Sequence, residues 1–206
     1  EQFFSRANDF GFSKNPGETL DIWEKEKVLS DVVWAIRKFQ PDVIINRFDH
    51  RSAGTTHGHH TASAMLSVES FNLTNNPTIF PEQLNLVQPW QAKRQFFNTS
   101  WWFYGSQEKF NKADKTNLMA IQTGVYFPSI GKSNQEIAAL SRSRHQSQGF
   151  GSTGTRGEET EYLEFLNGER VPTNGSLFDG IDTSWNRVKG GKAIGELLNL
   201  ISKEFN

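Results

Sequence analysis

The sequence predicts an α/β fold built on a mainly parallel sheet. Three observations predict it. A helical stripe over residues 18–39 precedes the short, β-branched run Asp42-Val43-Ile44-Ile45-Asn46, which suits a strand buried on both faces. A polar loop then leaves that strand and enters a second helical pattern from about His59 to Leu73. Helix, buried strand, loop, helix is the rhythm of a parallel sheet.

Each element has its own grounds. Residues 1–17 are polar and aromatic and contain Pro16-Gly17, so they read as a loop. From Glu18 to Phe39, residues Ile22, Leu29, Val32, Val33 and Ile36 form one apolar stripe at helical spacing. Pro41 closes that helix. In the next helix Ala62, Met65, Leu66 and Glu69 fall on successive turns. Residues 74–92 are Asn- and Pro-rich and irregular. Gln95-Phe96-Phe97, Trp101-Trp102-Phe103-Tyr104 and Leu118-Met119-Ala120-Ile121 are strand candidates. Ser133-Asn134-Gln135-Glu136 has the pattern of a capping box and opens a helix to about His145, with Ile137 and Leu140 inward. A Gly-rich loop over Gly149 to Gly157 follows. A short helix from Glu158 to Leu166 then ends at Gly168, a glycine suited to the position after a helix.

Composition sets limits. The chain has 206 residues, enough for one domain with a real core. Its 22 Lys+Arg against 23 Asp+Glu give no electrostatic reason to expect nucleic acid or an anionic membrane. No apolar run approaches the roughly 20 residues of a membrane helix. There is no cysteine, so the compartment stays open between cytoplasmic and exported or periplasmic. The opening Glu1-Gln2-Phe3-Phe4 and the closing apolar run Ala193 to Ile201 read as a piece of a longer polypeptide, with a processed mature protein as the alternative.

The chemistry concentrates in one loop. Four of the five histidines lie between His50 and His60. Imidazole is the usual protein ligand of zinc, and ligand sites in α/β proteins lie beyond the carboxyl ends of strands. His57 and His60, three residues apart at the mouth of a helix, can face one point. One could bind a metal while the other acts as acid, base or oxyanion donor. His59 points about 100° away from His60, and His50 reads as loop surface. Two histidines do not close a catalytic zinc site, which takes three protein ligands and water. Asp49 is the local carboxylate: a ligand, a partner to an imidazole, or a turn former, with the last two ranked first. His145 sits at a helix C-terminus, which is reason enough for a protonated imidazole. Gly149-Phe150-Gly151-Ser152-Thr153-Gly154 matches G-x-G-x-x-G, but a helix precedes it, so it is not a dinucleotide fingerprint. Trp90, Trp101, Trp102 and Tyr104 could stack a sugar, although such density more often marks a core.

At this point the residues resemble a family. Pro41-Asp42-Val43-Ile44-Ile45 leading into His57-Gly58-His59-His60-Thr61-Ala62 is similar to the second motif of the PIG-L (LmbE-like) zinc-dependent N-deacetylases. Ile137-Ala138-Ala139-Leu140 to His145-Gln146-Ser147-Gln148 resembles that family's later helix, which ends in His-x-Ser-Gln. Phe10-Gly11-Phe12-Ser13-Lys14 and Ser147-Gln148-Gly149-Phe150-Gly151 look like a long, multidomain bacterial branch. The resemblance covers about residues 1–160. It implies a Rossmann-like three-layer α/β sandwich. The family's first motif, Ala-His-Pro-Asp-Asp-Glu, is absent, and no His-x-x-Asp occurs. The resemblance therefore implies an N-terminally truncated domain, with 1–160 its C-terminal part and 161–206 the domain end and the start of a linker to a further domain. It makes His60 the third zinc ligand and His57 the residue that stabilises the oxyanion or protonates the leaving amine. His57, with Asp49 as the local carboxylate, makes up the candidate catalytic residues, and His60 is the candidate metal ligand. His59 stands where the family often has aspartate.

The function implied is removal of N-acetyl groups from amino sugars or their conjugates, with Zn2+ as cofactor and no activity without the missing N-terminal segment. A self-contained metal hydrolase using Asp49, His57 and His60 is a second reading. A non-catalytic carbohydrate-binding or interaction domain on the same scaffold is the third. Loss of the first strands would bare a sheet edge, so self-association or retention of the missing segment is expected.

Overall fold

The computed structural model describes residues 2–148 and 151–205. The chain forms two compact units, Glu1–Asn174 and Gly175–Asn206. The first is mixed α/β. Its main sheet has four strands in the order β1-β2-β6-β3: β1 Val43–Asn46, β2 Arg94–Thr99, β3 Leu118–Gln122 and β6 Thr160–Gly168. A separate hairpin pairs β4 (Tyr126–Phe127) with β5 (Lys132–Ser133).

Among the described residues only β1 and β2 run parallel, with Val43 opposite Arg94 and Asn46 opposite Phe97. β6 is antiparallel to both β2 and β3. The sheet is therefore mixed rather than mainly parallel. The reason lies in the connections. α3 (Gly58–Ser70) carries the chain from β1 back to a parallel β2, whereas β2 and β3 leave a gap that β6 fills from the opposite direction. β1 is an edge strand and Ile45 is 49% exposed, so the expectation of burial on both faces does not hold.

The predicted helix over 18–39 is two helices, α1 (Pro16–Ile22) and α2 (Lys25–Phe39). They break at Glu24, which takes a left-handed φ of 56°. Asn15 caps α1 by accepting from the Gly17 and Glu18 amides, and Pro16 follows it at the first helical position. Leu20, Val28, Leu29 and Val33 then pack with Ala62 and Leu66 of α3 into the main helical core.

A buried arginine ties this layer to the irregular stretch after α3. Arg37, 1% exposed, donates to the carbonyls of Thr74, Asn76, Ile79 and Phe80 and to Gln83 Oε1. Burial lowers its pKa, but its planar fork meets only acceptors. Gln83 completes the tie by donating to the Ser30 carbonyl at 2.9 Å.

Three other expectations change. Residues 158–166, expected as a helix, supply β6, which sits between β2 and β3. Trp101–Tyr104 forms a 3-10 turn rather than a strand; α4 (Gln107–Lys112) comes next. The capping box is present and opens α5 (Asn134–Arg142), yet Ile137 and Leu140 are 38% and 52% exposed rather than inward. Arg156, donating to Glu136, and the cap itself hold the Glu136 carboxyl down to about 2. Of the Gly-rich stretch, Gly149 and Phe150 lie outside the described residues.

The second unit holds a 3-10 turn, Trp185–Arg187, and α6, Gly191–Glu204. The apolar run at the end of the chain is thus helical as expected. Gly191 and Gly195 let α6 close onto Trp185. Among the described residues no helix is long and apolar enough to cross a membrane.

Candidate functional site

The histidine loop spans the distance from β1 to α3. His57 is the residue that caps α3, and His60 sits in the first turn. Gly58 between them is buried. Its amide donates to the Ser13 carbonyl at 2.7 Å, and a Cβ there would lie 2.5 Å from Thr19 Oγ1 and 2.7 Å from the Asn15 carbonyl oxygen. Glycine is required because α3 starts hard against α1.

The four histidines separate. The rings of His57 and His60 lie 5.3 Å apart, tilted by 49°. Phe48 stacks on His60 at 3.8 Å and 10°. Phe12 meets His57 edge-on at 4.9 Å. His59 leaves the pair: it stacks on Phe10 at 4.5 Å and meets Trp23 edge-on, with Asp9 Oδ1 3.9 Å from its Nε2. His50 stays beside Asp49 at 3.5 Å. Desolvation lowers the pKa of His60, reinforced by His57 and His59, and desolvation also lowers that of His50.

Asp49 closes a local turn, its Oδ1 accepting from the amide and the Nε of Arg51. Arg51 also forks onto Glu164 of β6, with Nη1 3.0 Å from Oε1 and Nη2 2.7 Å from Oε2. The hydrogen bonds to Glu164, more than those to Asp49, raise the Arg51 pKa. The Tyr104 hydroxyl lies near this cluster; burial raises its pKa first, and Glu164 adds to that. Arg51 and Glu164 thus fasten the histidine loop to the sheet. Sequence reasoning missed both, because Glu164 was placed on a helix and nothing local pairs residues 113 apart.

β1 and β2 are parallel, so the loop after β2 emerges at the same end of the sheet as the histidines. It carries Trp101 and Trp102, 49% and 51% exposed. Trp90 is elsewhere, its Nε1 donating to the Pro41 carbonyl. His145 follows the end of α5, its amide donating to the Arg142 carbonyl.

Zinc can be tested against these donors. His57 and His60 could supply two ligands. Asp49 is held by Arg51, and among the described residues no group of three His, Asp or Glu side chains could hold a metal ion. A catalytic zinc site takes three protein ligands, of which these two histidines would be two. Comparison of the chain with protein-family models and with curated proteins finds no match.

Proposed function

We propose that this chain is part of a zinc-dependent hydrolase that removes N-acetyl groups from amino sugars or their conjugates. The observation that carries the reading is the pairing of His57 and His60, 5.3 Å apart, where β1 gives way to α3. In this reading the first unit is the C-terminal part of a Rossmann-like three-layer sandwich. The parallel β1-α3-β2 crossover supports that architecture. The two remaining ligands and a carboxylate base come from a segment N-terminal to the described strands.

The residues suit their proposed roles. Desolvation favours neutral His60, the form that ligates a metal. Phe48 fixes the plane of its ring. His57, exposed beside it, can donate a proton or a hydrogen bond to an oxygen that gains charge. Asp49 is occupied by Arg51 and in this reading positions the loop.

The test joins the chain to the polypeptide encoded directly upstream and measures bound zinc and acetate release from N-acetylglucosamine conjugates. The expected result is near-stoichiometric zinc that His60→Ala removes, and acetate release that His57→Ala lowers by about a hundredfold or more. A joined protein that holds no zinc, or whose activity ignores both substitutions, overturns the reading. Stoichiometric zinc on the 206-residue chain alone would instead favour a self-contained hydrolase.

The exposed pair Trp101 and Trp102 favours a second reading, a carbohydrate-binding domain without catalysis. Sugar binding that survives His57→Ala and His60→Ala would support it.

A further inference from the structure

A line of side-chain hydrogen bonds crosses the sheet and ends on an unused donor. On β6, Asn167 Nδ2 donates to Gln95 Oε1 on β2 at 2.8 Å. Gln95 Nε2 donates to the carbonyl and hydroxyl oxygens of Ser67 on α3, both at 3.0 Å. A carbonyl only accepts, so this contact fixes which end of the Gln95 carboxamide donates. The Ser67 hydroxyl already accepts, and its own proton goes to Asn46 Oδ1 at 2.6 Å. That contact engages the Asn46 carboxamide oxygen. Its acceptor is spent on Ser67, and its Nδ2 is left buried with no hydrogen-bond partner, on a residue only 6% exposed. Native interiors rarely leave such a group without a role.

Asn46 lines a cleft of about 230 Å³ between the end of β1 and the first two turns of α3, together with Arg47, Phe48, His60 and Ser63. Ser63 sends its proton to the His59 carbonyl. The cleft therefore combines an amide N–H, a guanidinium and an imidazole, and none of its lining residues is a carboxylate. An acceptor with negative charge complements that set.

We propose that this cleft is a carboxylate-binding subsite, in which Asn46 Nδ2 donates to one carboxylate oxygen and Arg47 supplies the opposing charge. The subsite goes beyond the deacetylase reading and does not depend on it. Its carboxylate arrives either as a small free acid or as an aspartate side chain of a polypeptide. The two present the same oxygens to Asn46.

The experiment titrates the 15N-labelled chain with sodium acetate and, separately, with a blocked aspartate (N-acetyl-aspartyl amide). It follows the side-chain amide signals of Asn46, with sodium chloride at matched ionic strength as control. The expected result is a saturable shift of the Asn46 pair that chloride does not reproduce. Saturation by acetate assigns the subsite to a small acid; saturation by blocked aspartate alone assigns it to a polypeptide. Asn46→Asp keeps the acceptor for Ser67 and removes the donor, so the shifts of the Arg47 and His60 backbone amides require about tenfold more ligand or more. Asn46 signals unmoved by both ligands, or an Asn46→Asp chain that binds like the wild type, overturn the proposal. The wild-type titration decides by itself should the variant fail to fold.

Discussion

The loop that leaves α3 and the loop that leaves β1 are each pinned by one arginine, in opposite ways. Arg37 is buried and spends its fork on four carbonyls and one carboxamide. Arg51 has a half-exposed side chain and spends its fork on two carboxylates, Asp49 and Glu164. The first loop is thereby part of the core. The second is held from the surface, where ion pairs contribute little and weaken with salt. The candidate site is built on the second. A site needs side chains that solvent and substrate can reach, and that excludes the kind of anchor Arg37 provides.

Substitution breaks or sharpens this contrast. Arg37→Met should cost the most, about 3–5 kcal/mol, because several buried carbonyls lose their donor at once. Urea unfolding reads it, and a loss under about 1 kcal/mol would mean the loop is held by something else. Gly58→Ala comes next, at about 1–3 kcal/mol, since its Cβ overpacks the contact between α1 and α3. It should also disturb the ring signals of His57 and His60, and an unaltered His60 would show that α3 is free to shift. Arg51→Ala should cost no more than about 1 kcal/mol, yet speed amide exchange in residues 47–57 and leave 71–85 alone. Equal protection in both proteins would remove the tether from the account. The smallest effect is that of pH. The folded pKa values of His50 and His60 lie below their unfolded value of about 6.5. The unfolded chain therefore takes up protons first as pH falls. Stability from these groups is complete above that value and declines as pH drops through it. Urea midpoints at about pH 7.5 and about pH 5.5 should differ less in a His50→Gln, His60→Gln protein than in the wild type; an unchanged difference would acquit both residues.

What the sequence could say was local. Ser133 and Glu136 are three residues apart and their capping box is complete. Val43 to Asn46 is a strand, and His57 and His60 meet as their spacing allows. The failures are nonlocal. Trp23 and Glu24 contain no breaker, yet the helix parts there, where Trp23 turns to His59 and donates to the Asn8 carbonyl. Tyr162, Leu163, Phe165 and Leu166 have helical spacing, but β2 and β3 claim the segment from either side. Asp49 was legible as a turn former, whereas Glu164, the other partner of Arg51, was hidden in that misread strand.

The late arrival of β6 bears on how the chain acquires its structure. β3 finds its neighbour only when residues 160–168 exist, some forty residues further along, and β2 waits still longer for its second partner. Pairings at such separation are slow to form, and unpaired strands are prone to join the wrong neighbour. During synthesis the helical core of α1, α2 and α3 can therefore consolidate first, while two strand edges stay open until the middle of the sheet is delivered. Conditions that slow elongation just before residue 160 should raise the yield of aggregate more than the same delay after residue 168.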